Sequence, residues 1–236
     1  MALSRSIRLR TLAVSALAAS SLTGSALAAD ASNPTVVELF QSQGCSSCPP
    51  ANAVLNAIAD RPNILALSFA VTYWDYLGWK DKFAHSAFTA RQWEYARAGG
   101  RTNVSTPQMI VNGRGVLVGS NPAQAAAFIK RFDRGASGPA ISVSSGQVSV
   151  TGNSGPRPAN VWLVRYDPRV HQVPIRAGEN GGRTLPHKNI VRETWLLGEW
   201  SGGAKTYKVP ASADPLRAAI LVQDGPGGAI LSAAKI

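Results

Sequence analysis

The sequence predicts an α/β domain followed by a mostly antiparallel, β-sandwich-like domain. Three observations carry that reading. An apolar strand, a Cys-x-x-Cys loop, a helix and a second apolar strand follow one another between residues 35 and 71. A proline-led hairpin and a closing helix occupy residues 106 to 132. Past Gly135, helix formers give way to short alternating runs separated by Gly, Pro, Asn and Ser. The first pattern is a βαβ unit, with parallel strands and a right-handed crossover. The last has the turn spacing of a sandwich.

The 236-residue chain opens on Arg5, Arg8 and Arg10, then the alanine- and leucine-rich stretch Thr11 to Ser25, then Ala26-Leu27-Ala28. These are the basic region, apolar region and small-residue cleavage site of a signal peptide, expected over residues 1–28. Ser15, Ser20, Ser21, Thr23, Gly24 and Ser25 make the segment too polar and too short for a lasting membrane span. No other stretch is long and apolar enough to cross a bilayer, so no stable span is expected after cleavage. The mature chain is expected in a bacterial periplasm or secreted, where disulfides persist. Losing three arginines takes the formal charge from +11 to +8 over the remaining 208 or so residues. No lysine/arginine run accompanies it. That is a diffusely basic surface on an exported protein, and nucleic acid is not expected as a partner.

Thr35-Val36-Val37-Glu38-Leu39-Phe40 is short, apolar and β-branched at its start, as a buried strand is. Gly44-Cys45-Ser46-Ser47-Cys48-Pro49-Pro50 follows and holds the only two cysteines. Val54, Leu55 and Ile58 then recur at helical spacing. A cysteine at a helix N-terminus meets unpaired N–H groups and the positive end of the helix dipole, which favour its thiolate. Closing so short a loop stabilises a fold by only about 2 kcal/mol, against about 4.7 for a hundred-residue loop. The spacing therefore suits a bond that is made and broken; metal binding and a passive local clip are the alternatives. Pro49-Pro50 removes two N–H groups from the opening turn, which predicts a late helix start.

The helix ends near Asp60-Arg61-Pro62, and Ile64 to Val71 forms the second strand. Ligands of such sheets gather beyond the carboxyl ends of the strands. Thr72-Tyr73-Trp74-Asp75-Tyr76-Leu77-Gly78-Trp79 lies at one such end, either as a substrate groove beside the cysteines or as a packed aromatic cover. Residues Asp81 to Ala98 read as an inserted pair of helices. Thr106-Pro107 heads a strand, Asn112-Gly113 turns it into a hairpin, and Asn121-Pro122 caps a helix from Ala123 to Phe132. The first domain is thus expected over residues 29–137.

A second, β-rich domain is expected over residues 138–236. Its strands fall at Ile141–Val143, Val148–Val150, Val161–Tyr166, Val170–Ile175, Ile190–Leu197, Lys205–Val209, Ala218–Val222 and Ala229–Leu231. Such an addition is expected to present substrates, mediate dimerisation or shield the sheet.

Strand, Cys-x-x-Cys, helix, strand, then a Thr-Pro hairpin and closing helix is similar to the thioredoxin superfamily, over roughly residues 33 to 134. Thr106-Pro107-Gln108 with the Asn112-Gly113 turn is especially like the glutaredoxin pattern. More narrowly, Val37-Glu38-Leu39-Phe40 with Gln43-Gly44-Cys45-Ser46-Ser47-Cys48-Pro49-Pro50 resembles the exported bacterial domain-of-unknown-function family 1223. Thr106 to Gly113 and Leu185-Pro186-His187-Lys188-Asn189 resemble it too, so the match covers nearly the whole mature chain.

The resemblance implies a thioredoxin-like fold and thiol–disulfide exchange on protein or small-thiol disulfides, served by an unidentified redox partner and no cofactor. Cys45, the more exposed cysteine, would react first and Cys48 would resolve the mixed disulfide. Pro107 would be cis, turning the Thr106 backbone toward the sulfurs. Glu38 would be a buried acid beneath them, its pKa raised by desolvation, exchanging a proton with Cys48. Trp74, Tyr73 and Thr106 would contact substrate. Two other classes stay open. A periplasmic copper or zinc module needs ligands beyond two thiolates, and only His85, His171, His187 and Met109 are on offer, none in ligand spacing. A non-catalytic envelope interaction protein would keep the cysteines as a relic.

Overall fold

In the computed structural model, residue 1, residues 28–212 and residues 215–236 are described. The expected signal peptide lies almost wholly outside them. Among the described residues, no helix is long and apolar enough to cross a membrane.

β1 (Thr35–Gln41) and β2 (Ile64–Ala70) are buried at every position and pair in parallel from Thr35↔Ile64 to Gln41↔Ala70. Strands covered on both faces need no polar alternation, hence the continuous apolar runs. α1 (Cys48–Ile58) crosses between them on one face. There Val37, Leu39 and Ala66 meet Ala51, Val54, Leu55 and Ile58. Val36, Phe40, Leu65, Leu67 and Phe69 point to the other face, against Phe88 and Tyr95 of α2 (Ser86–Ala98). α1 begins at Cys48, not late: Pro49 and Pro50 sit in its first turn, where a missing N–H costs no helical bond.

The inserted pair of helices expected over 81–98 is one helix. Asp81 accepts from the Phe83 amide and His85 Nδ1 from the Ala87 amide, local bonds that turn the chain before α2 starts. β3 (Gln108–Val111) and β4 (Gly115–Leu117) form the expected hairpin, with Asn112 and Gly113 both at positive φ. Gly113 also lies so close to the Gly228 carbonyl that a Cβ would not fit. α3 (Pro122–Arg131) is capped by the Asn121 side chain, which accepts from the Gln124 amide.

The remaining strands are β5 (Ala140–Ser144), β6 (Gln147–Thr151), β7 (Ala159–Asp167), β8 (His171–Pro174), β9 (Thr184–His187), β10 (Ile190–Trp200), β11 (Lys205–Lys208), β12 (Arg217–Gln223) and β13 (Ile230–Lys235). They do not make a free-standing sandwich. Eight strands form one large, mostly antiparallel sheet in the order β13-β12-β7-β10-β2-β1-β3-β4, which runs across the compositional change at Gly138. The join is β10 beside β2. The Ser68 amide donates to the Asn189 carbonyl at 2.9 Å, and Asn189 Nδ2 donates to the Ala66 carbonyl at 2.9 Å. Asn189 adopts a left-handed backbone, φ 50°, which asparagine tolerates better than most residues. Without this join the edge of β2 would be left unpaired.

Among the described residues, β11-β6-β5 form a second sheet layer. It buries Val148, Val150 and Tyr207 against Val161, Leu163, Trp200, Ile220 and Val222. β8 and β9 make a separate hairpin packed on Ala70, Phe83 and Ile190. β9 adds a strand that the sequence does not predict; it contains Pro186, which a two-stranded edge accommodates.

Candidate functional site

The carboxyl end of β1 delivers the cysteine loop. Cys45 and Cys48 are joined as a disulfide with their Cα atoms 5.5 Å apart. The two residues are 1% and 0% exposed, whereas Ser46 and Ser47 face solvent. Both cysteines are buried, so the expected difference in exposure between Cys45 and Cys48 is not seen. The loop turns its serines outward and its sulfurs in.

Three segments close around it. Thr106-Pro107 has a cis peptide bond, and the Thr106 carbonyl oxygen lies 3.7 Å from Cys45 Sγ. The Ser47 hydroxyl sits between them, 3.3 Å from the sulfur and 3.4 Å from the carbonyl. Trp74 covers the start of the loop; a Cβ on Gly44 would lie 3.3 Å from the Trp74 Cβ. Its indole N–H donates to Thr106 Oγ1 at 2.7 Å, tying the aromatic segment to the proline loop. The third segment, residues 175–183, arrives from the β8–β9 hairpin. Asn180 Nδ2 donates to both the Gln43 and Cys45 carbonyls, at 2.9 and 2.8 Å, and the Ser46 amide donates to a Glu179 carboxylate oxygen at 2.9 Å.

The structure thus brings together Cys45, Cys48, Thr106, Pro107 and Trp74. Tyr73 stands behind Trp74, its hydroxyl donating to Gln92 at 3.2 Å, and burial raises its pKa. Glu38 is elsewhere. It shares the β1 face of Val36 and Phe40, opposite to the face that carries α1 and Cys48. Its carboxylate accepts from Arg91 Nε at 2.7 Å and from the Tyr95 hydroxyl, and Arg91 also reaches Gln223 of β12. Burial works against the Arg91 charge, and the Glu38 carboxylate more than reverses it, so its pKa is raised. Glu38 is the centre of a buried network between β1, α2 and β12. It is not the proton relay that the sequence predicted.

The buried acid that does touch the cysteine loop is Asp81. Its carboxylate accepts from the Gln43 amide and the Phe83 amide, both at 2.9 Å, and burial raises its pKa to about 6. Set between Lys80 and Lys82, it reads in the sequence as a surface charge. Glu179 and Asn180 were missed as well. Gly178-Glu179-Asn180-Gly181-Gly182 gives a turn signal but not its destination, more than 130 residues back along the chain.

His187 is buried. Neither ring nitrogen has a hydrogen-bond partner among the described residues, and burial, with His171 and Lys82 nearby, brings its pKa down to about 4. Its β8 neighbour His171 bonds instead to Asp167 at 2.8 Å. Among the described residues, no three His, Cys, Asp or Glu side chains gather as a metal-ligand set. An apolar hollow of about 440 Å³ lies between α1 and α3, lined by Val54, Ile58, Ala125 and Ile129, and comes nearest the cysteine loop at Pro50 in the first turn of α1.

Fold and site together define a mixed α/β protein whose large sheet carries a Cys-x-x-Cys disulfide at the end of its parallel strand pair. The profile described as "Protein of unknown function (DUF1223)" matches residues 36–223, and the chain belongs to that family. No curated protein matches. The chain is similar to the crystal structure of a structural-genomics target from Agrobacterium tumefaciens. The two are 32% identical with a TM-score of 0.69, covering 86% of this chain and 93% of that one. HBP35 of Porphyromonas gingivalis is 12% identical with a TM-score of 0.58, covering 87% of this chain and 75% of its own, a likeness of fold alone.

Proposed function

We propose that this is an exported, thioredoxin-like thiol–disulfide oxidoreductase acting through Cys45 and Cys48 on protein or small-thiol substrates in the bacterial envelope. The observation that carries the reading is the Thr106 carbonyl oxygen, 3.7 Å from Cys45 Sγ and beside the Cys45–Cys48 bond. A backbone acceptor beside a reactive sulfur is placed to bind an extended partner as an added strand would.

In the oxidised form, a substrate thiolate attacks Cys45 Sγ. The Cys45–Cys48 bond breaks, Cys48 leaves with the electron pair, and a mixed disulfide forms. A second substrate thiolate then attacks its own sulfur in that bond and displaces Cys45. The substrate ends as a disulfide and the protein as a dithiol, two electrons richer, with the two substrate protons shared between the new thiols and solvent. Run backward, the same steps reduce a substrate disulfide; the potential of the couple against its partner sets the direction. Trp74 holds Thr106 in place, and the Ser47 hydroxyl is positioned to donate to a thiolate at Cys45.

The burial of Cys45 favours a second reading, a static clip on a non-catalytic envelope protein. Cys45→Ser decides between them. As an oxidoreductase, the mature chain turns over insulin or glutathione disulfides and the variant does not. As a clip, wild type and variant are equally inert and the variant loses only about 2 kcal/mol of stability.

A further inference from the structure

Residues 175–183 meet the cysteine loop by two kinds of contact. Asn180 is fully buried and bridges two carbonyls, those of Gln43 and Cys45, through one side-chain amide. Its own oxygen accepts from Arg183 Nη1 at 2.8 Å, which fixes the orientation of that amide. Glu179 is exposed and places a carboxylate on the Ser46 amide, one residue beyond Cys45. That amide matters because Pro49 and Pro50 contribute no N–H to the opening turn of α1. The donors near a reduced Cys45 are the Ser47 hydroxyl and the amides of Ser46 and Ser47, since the Cys48 amide already bonds the Cys45 carbonyl, and the Ser46 amide is taken by an anion.

We propose that Glu179 and Asn180 are positioning residues for the Cys45–Cys48 couple. Asn180 fixes the loop backbone, and Glu179 holds a negative charge on the Ser46 amide, in competition with the thiolate that reduction creates at Cys45. The functional consequence rests on the oxidoreductase reading; the placement of the charge does not. A thiolate deprived of a donor and facing a carboxylate is less stable, so the couple is pushed toward the reducing side. Hydrogen bonding by the Ser46 amide correspondingly holds the Glu179 carboxyl below its usual range. The other charged groups bonded to these segments are Asp81 on the Gln43 amide, with Asp75 behind it, and Arg183 on Asn180. α1 and residues 105–107 carry none.

The test is the rate of Cys45 alkylation by iodoacetamide against pH, in the reduced mature chain, for wild type, Glu179→Gln, Asn180→Ala and the double variant. Glutamine keeps an acceptor for the Ser46 amide and removes only the charge. Its midpoint is expected to fall by roughly half a unit at low salt, about threefold more thiolate at neutral pH, and the difference shrinks in 0.5 M salt, as an exposed charge requires. Asn180→Ala frees the whole loop, so it reproduces the shift, and the double variant adds nothing to it. A glutathione redox titration follows in the same direction, to a more oxidising potential. An unchanged or raised midpoint in Glu179→Gln at low salt overturns the proposal. If wild type fails to turn over disulfides while the shift is present, the oxidoreductase reading falls and the placement of Glu179 stands.

Discussion

His187→Leu isolates a single buried titration. The imidazole lies in β9 against the Phe83 ring, with both nitrogens unpartnered among the described residues, so a leucine of similar volume forfeits no hydrogen bond there. The folded pKa of about 4 lies below the ordinary 6.5. A depressed histidine pKa means that the unfolded chain takes up the proton first. The native fold is therefore fully favoured above pH 6.5 and loses stability as pH falls toward 4. At 1.36 kcal/mol per unit, the loss is about 2 kcal/mol at pH 5 and about 3 kcal/mol at pH 4. Leucine does not titrate, so the variant gains on wild type by those amounts as the pH is lowered. Urea denaturation of both proteins at pH 7.5, 5 and 4 measures the difference directly, and subtraction cancels every carboxylate the two share. In thermal unfolding the same gain reads as roughly 2–4 °C per kcal/mol. A variant-minus-wild-type difference that stays flat from pH 7.5 to 4 refutes the reasoning, since it means the ring is solvated or already paired with an acceptor.

Arg91→Met leaves the Glu38 carboxylate buried without its cation, and unfolding free energy is expected to fall by about 3–5 kcal/mol in urea; Glu38→Leu with Arg91→Met recovers most of it. Asp81→Asn tests the opposite sign. A folded pKa of about 6 lies above the unfolded value, so the stability Asp81 contributes is present below pH 3.8 and lost as pH rises through 6. The variant should gain on wild type by about 2 kcal/mol between pH 4 and pH 7, read by the same denaturation series. Trp74→Phe removes the indole donor to Thr106, a bond worth about 1 kcal/mol. Under the proposed chemistry it raises KM for a peptide disulfide roughly fivefold and leaves kcat nearly unchanged, whereas a defect in kcat alone would contradict a substrate-positioning role.

The parallel pair, the cysteine loop and the hairpin were legible because each is written locally. β1 and β2 are unbroken apolar runs, Asn112-Gly113 supplies two positive φ angles, and Asn121-Pro122 caps α3. Partner choice between distant strands is not local. Turn spacing marked where β7, β10 and β12 fall, but the side chain that splices them to β2, Asn189, gives no pairing signal of its own. The site failed in the same manner. A buried acid in β1 was correctly read, yet alternation along Val37-Glu38-Leu39 puts Glu38 on the face away from α1. Counting faces from the α1 contacts would have excluded it. Asp81 and Glu179 had no such signal, because what each touches is set by loops that meet only in three dimensions.

The same geometry assigns a role to the C-terminal half. Its sheet strands stop at β2, and the β8–β9 hairpin reaches the backbone of the cysteine loop, through Glu179 and Asn180. The hairpin is anchored at its base by His187 and Leu185 against Phe83, two residues from Asp81, which grips the far side of the same cysteine loop. The two buried ionisable groups respond to pH in opposite senses. Acidification from pH 6.5 to 4 weakens the native state through His187 and strengthens it through Asp81, by about 2–3 kcal/mol each.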